Sequence, residues 1–287
     1  MRPFEYFEPN TVGEATQLLS KYGEKSQILA GGVDLIPRMR KEKIKTEYVI
    51  NIQKIPGLED IRADGKRGLE FGAMARLHSI ETSKTIQKDY PTLYEAVHQI
   101  ASVQAKYMGT VVGNLCVATP ASDLATVLYT LGAELKIAGA RGERTEPIEK
   151  FYLDYFRTSL KQGEMVTGVF VPNPQPGTGT AFLNLVRTHA DIAKVSVAVT
   201  LLVQNGVCLE SRIAIGAAAP TVFRAAKAEE VLKGQKLNPQ EINKAAETAS
   251  GETKPITDLR SSAEYRREMA KVLVRRALEK ALGKAKA

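Results

Sequence analysis

Two glycine-containing segments, each placed where an apolar run ends, most constrain how this chain can fold. The first is Ala30-Gly31-Gly32-Val33-Asp34-Leu35, and the second is Thr110-Val111-Val112-Gly113-Asn114-Leu115. Residues 27–30 have the pattern of a short buried strand, and residues 35–45 have that of a helix. A glycine turn between strand and helix lets backbone N–H groups approach an anion, although such turns also serve packing alone. Two such turns predict a grip on one extended, phosphate-bearing ligand.

The composition narrows the class of protein. The chain has 287 residues, of which 25% are charged and 44% are hydrophobic, as in ordinary globular proteins. No run approaches the roughly 18 apolar residues of a membrane helix, and the first residues lack the apolar core of a signal peptide, so we predict a cytoplasmic protein. The net charge of +8 is interpreted as a solvated basic surface, because no basic cluster is interleaved with aromatic residues as in nucleic-acid-binding proteins.

Residues that could carry chemistry of their own are sparse. Cys116 and Cys208 lie far apart and form no CxxC pair, so neither a metal nor an iron–sulfur site is expected on this chain. The first glycine segment does not have the G-x-G-x-x-G spacing of Rossmann sites, and no nucleophile–base motif is present. We therefore predict no catalytic side chain and expect a bound cofactor to supply the chemistry.

The first half of the chain is predicted to form two α+β units. In the unit of about residues 1–55, Thr11 and Glu14 form a capping box, and Tyr48–Asn51 has a strand pattern. The unit of about residues 56–175 has Ser122 as the N-cap of one of its helices. Its predicted strands cover 69–73, 134–138 and 164–172, and its predicted helices cover 79–88, 92–102 and 121–131, with a loop at 109–115 between the last two.

A proline-rich and glycine-rich linker at residues 172–179 separates the two halves, which predicts a domain boundary near residue 175. After it come three predicted strands, at 181–186, 193–203 and 207–217, and three predicted helices, at 225–232, 239–249 and 263–282. Asn205-Gly206 between the last two strands is a strong hairpin signal. The predicted domains are therefore residues 1–175 and residues 176–287.

At the two glycine segments the chain resembles the FAD-binding medium subunits of the molybdenum hydroxylases, the family of xanthine dehydrogenase and aerobic carbon monoxide dehydrogenase. The resemblance extends from residues 2–6 to residues 191–198, and the second segment with its Pro120-Ala121-Ser122-Asp123 tail is its most specific part. Val33 stands where the family usually has a polar residue, and Val112 stands where it usually has a second glycine. Contacts made by the backbone survive both changes.

The resemblance implies a two-part FAD-binding domain of the vanillyl-alcohol-oxidase (PCMH-like) type, followed by a three-stranded antiparallel sheet with a helical bundle. It places Asp123 in contact with FAD, Ile100 against the adenine and Val166 near the flavin ring, while Leu183 stands where xanthine dehydrogenases have a lysine. Thr110 and Asn114 offer a hydroxyl and an amide to phosphate or ribose. The complete predicted cofactor-binding set is Leu29, Ala30, Gly31, Gly32, Val33, Asp34, Leu35, Ile100, Thr110, Gly113, Asn114, Asp123, Val166 and Leu183.

The function implied by the resemblance is that of an electron-transfer subunit. FAD on this chain would take electrons from [2Fe–2S] clusters on a small partner subunit and pass them to an external acceptor. Substrate would be oxidised at the molybdopterin of a large partner subunit, in a heterohexamer with two copies of each chain. Two other classes stay open: a self-sufficient FAD oxidoreductase of the same fold, and an assembly protein that no longer binds flavin. The sequence names neither the substrate nor the final acceptor.

Overall fold

The first part of the chain folds into a small parallel sheet flanked by helices. The computed structural model describes residues 1–65 and 67–285. The elements of this part, in chain order, are β1 (Glu5–Phe7), α1 (Val12–Tyr22), β2 (Ser26–Leu29), α2 (Leu35–Arg40) and β3 (Tyr48–Asn51). The three strands are parallel in the order β1-β3-β2. The first glycine segment therefore lies at the carboxyl edge of this sheet, between β2 and α2.

The ends of α1 follow from local sequence signals. Thr11 Oγ1 accepts a hydrogen bond from the Glu14 N–H at 3.1 Å, and the Glu14 carboxylate accepts one from the Asn10 N–H at 2.8 Å. Gly23, with a φ of +55°, follows the last residue of the helix. The predicted capping box and terminal glycine are both confirmed.

The helix predicted over residues 35–45 is shorter than expected. It ends at Arg40, and Met39 is its one buried residue. Residues 41–45 are four charged residues and one isoleucine. They form no apolar face that could pack against the core, so nothing stabilises a longer helix. A helix this short contributes little dipole, and anion binding beside it depends on individual backbone N–H groups.

The middle part of the chain is built around an antiparallel sheet. Its elements are β4 (Ile61–Asp64), β5 (Gly68–Gly72), α3 (Leu77–Thr82), α4 (Lys84–Asp89), α5 (Pro91–Gln99), α6 (Val103–Met108), α7 (Val111–Cys116), α8 (Asp123–Leu131), β6 (Glu134–Gly139), β7 (Gly142–Pro147), α9 (Ile148–Phe151), β8 (Tyr152–Asp154), β9 (Arg157–Thr158) and β10 (Met165–Pro172). The sheet has the order β4-β5-β10-β6-β7, and β8 pairs with β9. The edge strands β4 and β7 are absent from the sequence prediction, because their mostly exposed residues give no alternating apolar pattern.

Two helices of this part differ from the prediction. The helix expected over 79–88 is divided into α3 and α4, because the hydroxyl of Ser83 accepts a backbone N–H of α4 and starts a new helix. The helix expected over 92–102 begins one residue earlier, at Pro91, which is a favoured residue type in the first turn. It ends at Gln99.

The last part of the chain forms a sheet covered by helices. Its elements are β11 (Thr178–Leu185), β12 (Val195–Gln204), β13 (Val207–Gly216), β14 (Phe223–Arg224), α10 (Ala226–Leu232), α11 (Pro239–Gly251) and α12 (Ala263–Ala285). The three long antiparallel strands are confirmed, and the short β14 adds a fourth strand at the edge. Asn205 and Gly206, both with positive φ, form the predicted turn between β12 and β13.

This sheet is buried on both faces, which explains why its strands are almost continuously apolar. Phe182, Ala198 and Ala214 belong to the same hydrophobic core as α8. Their strand neighbours Val197 and Val199 belong to a second core with α10, α11 and α12. The middle and last parts of the chain therefore meet through packed side chains along α8. None of the described helices is both long enough and apolar enough to span a bilayer.

Candidate flavin-binding site

The first glycine segment presents a row of unpaired backbone donors. Within the described part of the chain, the N–H groups of Gly31, Gly32, Val33 and Asp34 make no hydrogen bond. Gly32 has a φ of +70°, a left-handed conformation that side chains disfavour. Neighbouring N–H groups left free by such a turn form a concave site for an anion.

The first glycine segment lies against Met108 and Gly109, the two residues that directly precede the second segment in the sequence. A Cβ at Gly31 would overlap the carbonyl oxygen of Met108 and would lie 2.9 Å from the Cα of Gly109. On the other side, the Gln53 amide donates to the Ala30 carbonyl at 2.6 Å and holds the first segment in place. Only glycine at position 31 allows this close backbone approach.

The second glycine segment is mostly helical, which differs from the predicted loop at 109–115. Thr110 precedes α7 and accepts the Gly113 N–H on its Oγ1 at 2.9 Å, while its carbonyl accepts the Asn114 N–H at 3.0 Å. The helix forms because threonine is a good N-cap and because Val111, Val112 and Leu115 bury an apolar face. Val112, where the family usually has glycine, therefore points into the core.

A hydrogen-bonded chain leads from the second segment to α8. Asn114 Oδ1 accepts from the hydroxyl of Ser122 at 2.7 Å, and Ser122 accepts the Ala125 N–H at 3.1 Å. Ser122 is therefore the N-cap of α8, as predicted. Asn114 already uses its carbonyl oxygen within the protein, so its NH₂ group remains as the donor for a ligand.

Asp123, the first residue of α8, is a buried carboxyl group with one free oxygen. Its Oδ2 accepts from the Asn184 amide at 2.9 Å, whereas Oδ1 is buried without a hydrogen-bond partner among the described residues. Burial raises the pKa of Asp123 to about 6, and the hydrogen bond from Asn184 partly opposes that rise. A buried acceptor without a donor is costly, so this oxygen fits a ligand that supplies one.

Asp34 is engaged with its own helix. Its carboxylate pairs with Arg38 at 3.1 Å and does not cap α2. The Arg38 guanidinium in turn lies 4.8 Å from the ring centre of Phe156, in the β8–β9 turn. These contacts join the first and middle parts of the chain beside the glycine segments.

The other predicted site residues are more dispersed. Ile100 follows α5 and is packed, half-buried, against the larger core, and Val166 on β10 is buried within that core. Leu183 packs against the second core, with the C-terminal helices, so its side chain is on the opposite face of β11 from Asn184. Leu29 ends β2, and Ala30 and Leu35 flank the free N–H groups.

Two residues at this site are absent from the sequence prediction. Asn184 contacts Asp123 from a strand far along the chain, and Arg76 donates to the carbonyl of Met108. The alternation of side chains along β11 could have indicated Asn184, since its neighbour Leu183 belongs to the predicted set. Nothing in the local sequence around Arg76 signals its position.

The described residues suit an extended ligand that carries phosphate. The free amides of the first segment fit phosphate, and Asn114 and Asp123 lie further along, on α7 and α8, with donor and acceptor capacity. No cluster of three or more His, Cys, Asp or Glu able to hold a metal ion occurs in residues 1–65 and 67–285. The fold and site thus define an α+β protein with a backbone cradle for an anionic ligand beside its parallel sheet.

Comparison with known proteins gives the family. Residues 2–174 match the FAD-binding domain in molybdopterin dehydrogenase, and residues 180–281 match the carbon monoxide dehydrogenase flavoprotein C-terminal domain. The chain belongs to this family of FAD-binding oxidoreductase subunits.

Individual relatives resemble the chain over its whole length. The carbon monoxide dehydrogenase medium chain of Afipia carboxidovorans is 34% identical, over 99% of this chain and 98% of its own. Subunit alpha of the 6-hydroxypseudooxynicotine dehydrogenase complex of Paenarthrobacter nicotinovorans is 32% identical, over 100% of this chain and 97% of its own. A solved carbon monoxide dehydrogenase from Hydrogenophaga pseudoflava, which lacks the Mo-pyranopterin moiety, superposes with a TM-score of 0.95 at 34% identity, covering 99% of this chain and 98% of that one.

Proposed function

We propose that this chain is the FAD-carrying electron-transfer subunit of a molybdenum hydroxylase complex. The observation that carries the proposal is the row of free N–H groups at Gly31–Asp34, pressed against the second glycine segment. Such a cradle binds phosphate without any side chain, so Val33 is compatible with it. Family membership supports FAD as the ligand.

Within this proposal, the residues of the site have distinct roles. The N–H groups of residues 31–34 bind the pyrophosphate, and Asn114 and Asp123 supply a donor and an acceptor further along the cofactor. Leu29, Ala30, Leu35, Thr110 and Gly113 shape the two segments, and Ile100 lies at the adenine. Val166 and Leu183, which face the cores, act through packing rather than through direct polar contact.

Bound FAD supplies the ability to accept and release electrons, and the protein holds it in place. In the proposed complex, electrons arrive from [2Fe–2S] clusters on a small subunit, after substrate oxidation at a molybdopterin on a large subunit, and leave to an external acceptor. A heterohexamer with two copies of each chain is part of the proposal. The relatives from Afipia carboxidovorans and Paenarthrobacter nicotinovorans belong to enzymes named for different substrates and are similarly identical to this chain, which supports a role for this subunit that does not depend on substrate.

We also propose a division into domains near residue 175 and a cytoplasmic location. Residues 173–177 join the two sheets between β10 and β11 and contain two of the three prolines of the predicted linker, which supports the division. Both cysteines are free thiols, which suits a reducing compartment. Cell fractionation with an antibody against this chain tests the location.

The direct test of function is the identity of the bound flavin. The purified chain, denatured in acid, should release FAD in stoichiometric amount, as measured by chromatography against FAD and FMN standards. Release of FMN would contradict the proposal, because FMN has neither the pyrophosphate nor the adenosine that the proposed site is to hold. Failure to bind any flavin after incubation with FAD would favour the flavin-free assembly protein.

A further inference from the structure

Arg76, which no sequence motif indicates, is fixed against the second glycine segment. Its backbone forms an isolated antiparallel bridge with Thr110. On either side, the Leu77 N–H donates to the Gly109 carbonyl at 3.0 Å, and the Val111 N–H donates to the Ala75 carbonyl at 3.0 Å. These bonds hold the residue at one place relative to the candidate site, whatever its side chain does.

The guanidinium of Arg76 lies next to the first glycine segment as well. It donates to the Met108 carbonyl, the same oxygen that a Cβ on Gly31 would overlap. Within the described residues this is its one hydrogen bond, so most of its five N–H donors stay available. The side chain thus stands at the point where the two segments meet.

Arg76 is also a cation without a counterion. No carboxylate of the described residues lies within 4.0 Å of its guanidinium, and partial burial lowers its pKa, with no opposing charge to raise it. By contrast, the half-buried Arg38 pairs with Asp34, and the buried Lys106 pairs with Glu81. A partly buried charge without a counterion loses part of its hydration, and an anionic ligand would offset that loss.

We propose that Arg76 is the charged contact for the pyrophosphate of FAD, completing with its guanidinium the cradle formed by the N–H groups of Gly31–Asp34. The inference rests on the proposed function, since it assumes that the dinucleotide lies between the two segments. Guanidinium groups bind phosphate oxygens through paired, charge-assisted hydrogen bonds, which are stronger than those of neutral amides. Arg76 therefore contributes to the affinity for the dinucleotide through its pyrophosphate, while binding of the flavin ring depends on other residues.

The test separates the phosphate part of the ligand from the flavin part. The full chain, stripped of flavin, is titrated with FAD, with ADP, which keeps the pyrophosphate, and with riboflavin, which has no phosphate. Arg76→Gln should lower the affinity for FAD and for ADP by about tenfold to a hundredfold, as expected for the loss of a charged hydrogen bond. The affinity for riboflavin should stay within about twofold of the wild-type value. Arg76→Lys, which keeps the charge, should bind FAD and ADP with affinities between those of the wild type and Arg76→Gln.

Arg141→Gln is the matched control, because Arg141 is exposed in the turn between β6 and β7. It should bind all three ligands as the wild type does. Equal weakening of FAD and riboflavin by Arg76→Gln would show a structural role and overturn the inference, as would unchanged FAD affinity. If Arg76→Gln does not fold, Arg76→Lys is used for the test. Weaker ADP binding with wild-type riboflavin binding would support the contact, and equal losses of affinity for both ligands would reject it. A wild-type chain that binds no FAD would overturn the proposed function itself.

Discussion

Position 31 is where the two glycine segments touch, and one added carbon there would collide with backbone rather than with a movable side chain. The neighbouring Gly32 has more space, because a Cβ would meet only Ile36 and Leu29 at 3.2 Å, but its φ of +70° is strained for other residues. Gly113 differs again, since it lies inside α7 and a Cβ would press on Thr110 Oγ1 at 2.7 Å. The three glycines thus protect the site for three separate reasons.

Replacing Gly31 with alanine should separate the segments and reduce bound FAD sharply. Strain of this kind also costs about 1–3 kcal/mol in the free energy of unfolding. Flavin content per chain and urea unfolding measure the two effects. Gly251→Ala is the matched control, since a Cβ there meets nothing within 4 Å and the backbone is not left-handed. Gly142, although exposed, is a poor control because its φ is +107°. Equal flavin loss in both variants would remove the special role of Gly31.

Asp123 makes the stability of the flavin-free chain depend on pH. Its pKa is about 6 in the folded chain, against an ordinary value of 3.8. Below about pH 3 the carboxyl is mostly protonated in both states and has little effect. As the pH rises towards 6, the unfolded state loses its proton more readily, so stability falls by about 3 kcal/mol and stays lower above pH 6.

Asp123→Asn should therefore stabilise the flavin-free chain at pH 7 by up to about 3 kcal/mol and have little effect at pH 4. Urea unfolding across that range measures this. The same variant should bind FAD more weakly, because an amide replaces a carboxylate oxygen that lacks a partner. Equal destabilisation at both pH values would mean that packing, rather than charge, governs this position.

At the scale of elements, the start of α7 is capped by one side chain. Thr110 Oγ1 accepts the Gly113 N–H, and loss of such a cap costs about 1 kcal/mol. Thr110→Val should lower the free energy of unfolding by about that amount and also weaken FAD binding, because α7 carries Asn114. Thr110→Ser keeps the hydroxyl and should resemble the wild type in both measurements. A Thr110→Val chain with full stability would show that packing of the apolar face of α7 is sufficient.

Longer elements are held by more than one interaction. The buried Arg266 of α12 donates to the carbonyls of Lys194 and Ala217 at 2.8 and 2.9 Å and pairs with Asp258 at 2.7 Å. It thereby joins the C-terminal helices to the ends of β12 and β13. The helices could be predicted from their apolar periodicity, but this attachment could not, since it uses carbonyls far away in the sequence.

At the scale of the whole molecule, large apolar side chains are exposed around the glycine segments. Val33, Met108, Tyr155 and Phe156 are each 45–57% exposed, and the last two lie in the turn that Arg38 contacts. Permanent interfaces are apolar and bury more than about 2,000 Å² in total. This rim supports the proposal that a partner subunit covers one edge of the site.

The isolated chain should accordingly be incomplete. It should reduce artificial dyes through its flavin at most, and anaerobic mixing with aldehydes or N-heterocycles should leave its flavin oxidised. Native mass spectrometry of the complex from its source should show one large and one small chain per copy of this chain. A stable, active species that contains only this chain would contradict the assembly proposal and favour a self-sufficient oxidoreductase.

The sequence by itself determined the elements whose signals are local. Thr11 with Glu14, Ser122 and Asn205-Gly206 act within a few residues, so capping and turn chemistry placed α1, α8 and the β12–β13 hairpin correctly. The resemblance to a known family indicated FAD as the cofactor. Local patterns failed where polar edge strands lack periodicity and where a cap such as Thr110 turned an expected loop into a helix.

Only the tertiary structure decided which distant residues share the site. The contact of Gly31 with Met108, the bond from Asn184 to Asp123 and the unpaired charge of Arg76 all join residues from separate elements. No single stretch of sequence contains both partners of such a contact. Their meeting depends on how the parallel sheet, the antiparallel sheet and α8 pack, and that packing is set by the whole buried surface rather than by any local preference.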